Sequence, residues 1–242
     1  MTVWKAKRFW KEATAVPEAG GFGIRLDGRP VKTPAKAPLV VPTLALAREI
    51  AAEWAAQEET INPATMPFTR TANAAIDKVA PQRREVAEML AAYGDSDLLC
   101  YRAEAPAALA RRQAEAWDPL LDWAAAELRA RLEPRTGVIH RPQPSEALER
   151  LSGHVDSMGN FELAAFHDLV ALSGSLVIAL AVIRGQSDDE TLWQASRLDE
   201  TWQQEQWGRD AEAQEAAQRR RAEFMHAARF FRICRQDKVP EG

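Results

Sequence analysis

The sequence predicts an α+β protein: an N-terminal β-rich domain with a hairpin and one helix, followed by an all-helical C-terminal bundle. Three observations carry that prediction. The chain changes character near residue 80, with prolines and two-residue alternation before it and helical periodicity after it. Asp27-Gly28 separates two alternating segments, the strongest short-range sign of a hairpin. Beyond Pro81, apolar residues recur every three or four positions almost without interruption. The expected domains are therefore 1–80 and 81–242.

In the first domain, Phe22, Ile24 and Leu26 alternate with small or polar residues and make one strand. Arg29 to Thr33 returns as its partner, and Pro30 places that arm at a sheet edge or gives it an irregular start. Leu39-Val40-Val41 adds a short strand. Pro42 to Glu58 reads as a helix with Leu46, Ile50 and Trp54 on one face and Arg48 and Glu49 turned away. Ile61 to Thr71, interrupted by Pro63 and Pro67, reads as an ordered non-helical crossing.

In the second domain, Val86, Leu90 and Tyr93 mark a helix that Gly94 ends. Asp95 or Ser96 then offers an N-cap to a short helix from Asp97 to Tyr101. Leu109, Trp117, Leu120, Leu121, Ala124 and Leu128 define a long amphipathic stretch, bent or restarted at Asp118-Pro119. Glu133 to Pro144 is the main loop, and helices are expected at 145–158, 161–183, 188–208 and 210–233. The most apolar run, Leu169 to Ile183, would extend roughly 22 Å as a helix, short of a bilayer core near 30 Å. It reads as a buried central helix, with Ala171, Ser175 and Ala179 as a line along which a neighbour could pack closely.

With 242 residues, 46% of them apolar and 27% charged, the chain has the composition of a soluble globular protein with a sizeable core. A net charge of −4 gives non-specific nucleic-acid binding no electrostatic support. The basic run Arg219-Arg220-Arg221 is flanked by Glu215 and Glu223 and reads as a solvated helix face. Cys100 and Cys234 lack CxxC or Cys/His spacing and read as reduced, partly buried thiols. The N-terminal segment lacks the apolar core of a secretory signal, and Glu12 and Glu18 are unlike a transit segment. A cytoplasmic location is expected.

A search for chemistry finds little. Gly20-Gly21-Phe22-Gly23 leads into a strand, so no helix N-terminus faces a phosphate there. GxxxxGK[ST], HExxH and GxSxG are absent. His154 and Asp156 could share a metal only on an extended segment, and the local pattern is helical. His167 and Asp168 would point about 100° apart on a helix, poor geometry for a relay. Asp95-Ser96-Asp97 looks like a metal-binding DxD, but helix capping explains the same residues. No cofactor or metal is expected.

The most informative stretch is Leu198 to Asp210. At helical spacing Glu205 aligns with Leu198 and Trp202, Trp193 and Trp207 fall on the opposite side, and Asp199 and Asp210 form an acidic line. Tryptophan on two faces means that the helix is buried twice or keeps one face for a partner. Glu205 can be read as a raised-pKa acid, as a structural glutamate with Arg209 at i+4, or as an acid that meets a partner. Spacing leaves these open.

Several segments together resemble one family. They include Phe9-Trp10-Lys11-Glu12, the Leu26 to Pro34 hairpin, Glu53-Trp54 with Gln57, and Thr65-Met66-Pro67-Phe68-Thr69-Arg70 with Asn73 and Asp77. Tyr93 to Arg102, Trp117 to Leu121, Ala171 to Leu176 and Leu198 to Asp210 follow in order, so the likeness runs from about Arg8 to Phe231. The family is the assembly chaperones that handle the α subunit of the ATP synthase catalytic sector, known in mitochondria as assembly factor two. The resemblance implies a β-rich domain followed by a helical one. It also implies binding of the unassembled α subunit, shielding of a surface that a neighbouring subunit later covers, and no turnover. The family's functional acids match Glu205 and Asp210, and a family tryptophan matches Trp54.

Trp193, Trp202 and Trp207 could supply an apolar platform, with Glu205 and Asp210 fixing register. The partner expected is thus the unassembled α subunit, with no nucleic acid and no stable membrane insertion. A monomer is expected, since no heptad seam demands a dimer. The resemblance places a bacterial member in the cytoplasm and a eukaryotic relative in the mitochondrial matrix. Two rival readings make different predictions. A small-molecule enzyme using Glu205 and Asp210, with His167 as a shuttle, requires a deep pocket joining the three. A permanent structural subunit requires fixed stoichiometry with its complex.

Overall fold

A computed structural model of the chain describes residues 7–208 and 210–236. Residues 1–6, at the start of the segment read for targeting signals, and Arg209, the i+4 neighbour of Glu205, lie outside them. The chain divides into two compact units. The first comprises the described parts of Met1–Arg83, Gly159–Ala165 and Arg229–Gly242; the second comprises Arg84–Met158 and the described part of Phe166–Ala228.

In the first unit, β1 (Ala13–Glu18) pairs antiparallel with β2 (Gly21–Leu26), Ala13 opposite Leu26 and Glu18 opposite Gly21. The central strand β2 also pairs with β3 (Arg29–Pro30) and β4 (Val40–Val41). The β2–β3 turn is Asp27-Gly28, with φ of +47° and +80°, the two positive values that a tight primed turn needs. The Asp27 carboxylate accepts hydrogen bonds from the backbone N–H groups of Glu12 and Lys11, which hold its pKa below the usual value. The β1–β2 hairpin is the element that alternation alone did not reveal. Its turn is Ala19-Gly20, and a Cβ on Gly21, the first residue of β2, would stand 2.3 Å from the Val41 carbonyl oxygen.

Helix α1 (Leu44–Ala55) starts at Thr43, whose hydroxyl oxygen accepts from the Leu46 N–H at 3.2 Å. Its buried face, Leu46, Ala47, Ile50 and Ala51, lies on β1 and β2. The stretch read as a non-helical crossing is largely helical. A 3₁₀ turn at Pro63–Thr65 precedes α2 (Pro67–Ala74), with Pro67 in the first turn, where its missing N–H costs nothing. Met66, which precedes α2, supplies no side-chain cap; the Glu53 carboxylate accepts from the N–H groups of Phe68 and Thr69 at 2.6 and 2.8 Å instead. That cap comes from fifteen residues upstream and is invisible to a local reading.

In the second unit, α3 (Arg83–Ala91) continues into a 3₁₀ turn at Ala92–Ser96. Gly94 does not end that helix; it sits inside the turn, where a Cβ would press on Leu151, Leu148 and Leu176 at 3.2–3.4 Å. The residue that caps the following turn, Leu98–Cys100, is Asp97 rather than Asp95 or Ser96. β5 (Tyr101–Arg102) pairs in parallel with β6 (Arg135–Thr136), a strand pair hidden within the expected loop. Helix α4 (Ala107–Glu127) runs without a break through Pro119.

α5 (Ser145–Asp156) follows, and the long apolar run then divides into α6 (Asn160–Ser173) and α7 (Leu176–Arg184). Gly174 at φ +71° makes the break, and Ser175 caps α7 by accepting from Ile178 N–H. The break dissolves the Ala171–Ser175–Ala179 line: Ala171 is exposed while Ser175 and Ala179 are buried. The expected 188–208 helix is likewise two, α8 (Asp189–Ser196) and α9 (Leu198–Trp207), separated by Arg197; α10 (Ala211–Ile233) closes the order. Among the described residues no helix is long and apolar enough to cross a membrane.

Candidate functional site

Because α8 and α9 are separate helices, Trp193 is not on the other side of the helix that bears Trp202. It is buried in α8 and packs against Phe224 with ring centroids 5.3 Å apart. Of the tryptophans weighed as a contact platform in this region, Trp202 is half-buried and Trp207 is 80% exposed. Leu198 anchors the start of α9 by burial.

Two polar attachments fix α9 to α4. The Arg112 guanidinium donates to both carboxylate oxygens of Glu205, at 2.6 and 3.1 Å. That pairing holds the Glu205 carboxyl below its ordinary pKa, which removes the reading of Glu205 as a raised-pKa acid. The second attachment is buried Gln113, whose amide donates to Asp199 at 2.7 Å while its oxygen accepts from the Ala103 N–H at 2.8 Å. Asp210 acts locally, its carboxylate accepting from the Glu212 N–H at 3.1 Å at the start of α10.

Beside α9 lies a groove of about 690 Å³. One wall is the chain from Tyr101 to Pro106, continued by Leu109 on α4; the other is Asp199, Trp202 and Trp207 on α9, and Gly137 and Val138 close one end. The β5–β6 pair sets the first wall, because Gly137 N–H donates to Arg102 O at 2.9 Å and brings Gly137 and Val138 to the rim. Arg102 is held by Leu99 O, by Asp118 at 2.7 Å and by the face of Trp117 at 5.2 Å. Trp117 is itself fully buried and donates to Ala195 O.

The acids and the histidine of the enzyme reading do not meet in this groove: neither Glu205, Asp210 nor His167 lines it. His167 and Asp168, whose directions on the helix were read as poor geometry for a relay, are in contact at 3.0 Å. The contact raises the His167 pKa. Burial, together with Arg184 at 3.1 Å, lowers the His154 pKa. Among the described residues no group of three or more His, Cys, Asp or Glu side chains is placed to hold a metal ion. In the basic run, Arg219 faces Glu215 and Arg221 pairs with Glu190. Both thiols are buried more fully than expected, and burial pushes the Cys100 pKa up to about 12.

Trp54 belongs to the first unit. Its ring packs edge-on against Trp10 at 5.2 Å, and its carbonyl accepts from the Trp10 indole N–H. Arg112, Gln113 and the Gly137-Val138 rim had no signature in the sequence. Each acts through a partner that is distant in the chain, and Glu205 lies 93 residues from Arg112.

Known proteins resemble this chain along nearly its whole length. The profile of the ATP12 chaperone protein family matches residues 7–125. The mitochondrial protein atp12 of Schizosaccharomyces pombe is 28% identical over 222 residues, 86% of this chain and 76% of that one. The crystal structure of Atp12 from Paracoccus denitrificans is 53% identical and superposes with a TM-score of 0.92 over 95% of this chain and 99% of that chain. An aspartate-to-lysine variant of Atp12p from the same organism superposes equally well, at 52% identity over 95% of this chain and 98% of that one. With this identity sustained over the full fold, the chain belongs to the ATP12 chaperone family.

Proposed function

We propose that this chaperone binds the unassembled α subunit of the ATP synthase catalytic sector, shields its subunit interface from aggregation and releases it for assembly. The observation that supports this reading is the exposed, tryptophan-bearing edge of α9 in a chain of the ATP12 chaperone family. An orphan subunit exposes an apolar interface that invites aggregation, and a chaperone must cover it with moderate, reversible affinity. Trp202 and Trp207 supply contact area, and Glu205 serves that surface by fastening α9 to α4 through Arg112. Asp210 keeps the start of α10 in place beside α9, and Trp54 supports the first unit's share of the contact. The chaperone acts as a monomer without turnover. The setting is the bacterial cytoplasm, and the mitochondrial matrix for a eukaryotic relative.

The test is an aggregation assay. Isolated α subunit is diluted from denaturant with and without the protein, and with Glu205→Gln. Suppression by wild type and its loss in the variant supports both function and site. Suppression by both retains the function and discards Glu205. Absence of suppression by either overturns the proposal. A permanent subunit would instead stay bound in fixed stoichiometry after assembly.

A further inference from the structure

The groove beside α9 has the properties of a seat for a particular kind of segment. Its rim carries apolar side chains that folding has left in water: Val138 is 91% exposed, neighbouring Ile139 77% and Trp207 80%. Such a cluster on one face marks an interaction surface more often than solvent-facing decoration. The walls are fixed in advance, because buried Gln113 ties Asp199 of one wall to Ala103 of the other. A preorganised trough spares the ordering cost that a loose one would meet on binding.

The charge on the walls selects the occupant. Glu104 and Asp199 both line the groove, and among the described residues neither has an ion-pair partner. The Glu104 carboxylate lies over Gly137, close enough that a Cβ there would stand 2.8 Å from its oxygen. Arg102 is the cation among the described lining residues, and Asp118 already neutralises it. The groove therefore offers apolar contact together with uncompensated negative charge, which favours a lysine or arginine entering from outside.

Resting on the chaperone reading, we propose that this groove receives an apolar segment of the unassembled α subunit that carries at least one basic side chain. The rim tryptophan and Val138 cover the apolar residues, and Glu104 with Asp199 meets the cation. An enclosed small-molecule site would not leave Val138 and Trp207 standing in solvent at its edges.

The experiment uses the full chain and fluorescein-labelled peptides of about fifteen residues tiled across the α subunit, long enough to carry both an apolar run and a basic residue. Binding is read by fluorescence anisotropy for wild type, Glu104→Lys and Trp207→Ser. Both side chains are exposed, so unchanged thermal unfolding serves as the folding check. The expected result is that the bound peptides are apolar with net positive charge, and that each substitution weakens them by about tenfold, more than most interface positions cost. Tightest binding by acidic peptides, or equal binding by all three proteins, overturns the proposal. If no peptide binds while wild type still suppresses aggregation of whole α subunit, the groove assignment fails and the chaperone function stands. If wild type does not hold whole α subunit, both fail.

Discussion

Arg112 grips Glu205 through both carboxylate oxygens, at 2.6 and 3.1 Å, and so joins the middle of α9 to α4. The pair is substantially exposed and adds little to global stability. Its importance is directional, since a two-point guanidinium–carboxylate contact fixes orientation as well as distance. A charge swap separates a clamp from a direct contact. Under the proposed function, Arg112→Glu and Glu205→Arg are each expected to weaken binding of the proposed α-subunit client by about tenfold, and the double variant to recover most of it. Binding by the double variant that stays as weak as by either single one would show that Glu205 itself meets the client. Thermal midpoints should remain near wild type throughout.

Asp97 connects two helix starts in the second unit. Its carboxylate accepts from Leu99 N–H, from the Ser175 hydroxyl at 2.7 Å and from Val177 N–H at 3.0 Å. Burial raises its pKa from 3.8 to about 6 despite those donors. A carboxyl whose pKa is higher folded than unfolded contributes most below the unfolded value, and that contribution is lost as pH rises through the folded one. The Asp97→Asn variant lacks this titration and also turns an amide N–H toward Val177, a mismatch costing about 1–3 kcal/mol. Urea unfolding from pH 4 to 7 should show the wild-type advantage over the variant shrinking across that window. A constant difference would contradict it.

Glu53 caps a helix from outside it. Removing the carboxylate as Glu53→Ala leaves the Phe68 and Thr69 N–H groups and the Thr69 hydroxyl without their acceptor. The expected cost is about 1–3 kcal/mol. Hydrogen exchange should place the loss at the start of α2, with faster exchange at Phe68 and Thr69. Uniform acceleration across the unit would argue against a capping role.

Trp54 packs on Trp10, yet among the described residues its own buried indole N–H has no hydrogen-bond partner. Trp54→Phe should therefore be close to neutral, because it removes an unsatisfied donor while retaining most of the ring contact. Trp54→Ala, which deletes the ring, should cost about 2 kcal/mol or more. Chemical denaturation of the two variants tests this ordering, and equal destabilisation by both would refute it.

Local reading succeeds wherever the chain decides its conformation within a few residues. The Asp27-Gly28 turn needs two positive φ values, and few residue pairs supply them. Helix α1 follows from a threonine cap and apolar residues four apart. Local reading fails where a neighbour from elsewhere supplies the missing group. Pro63 and Pro67 suggest an irregular crossing, but Pro67 opens a helix whose cap is Glu53. Leu169 to Ile183 suggests one helix, since apolar periodicity does not register that Gly174 turns left-handed there, with Asp97 and Ser175 satisfying the new N-terminus.

Sequence alone therefore settles the α+β class, the β2–β3 hairpin, and through ordered motifs the family, because these rest on local backbone preference and residue identity. Only the folded chain decides that α8 and α9 are separate helices, that Trp193 is core while Trp207 faces water, and that Arg112 answers Glu205. It also creates the groove, whose walls come from segments about a hundred residues apart. The physical reason is range. Torsional preference and capping act over one or two turns, whereas a side chain's exposure and charge partner depend on which distant surface packing brings against it.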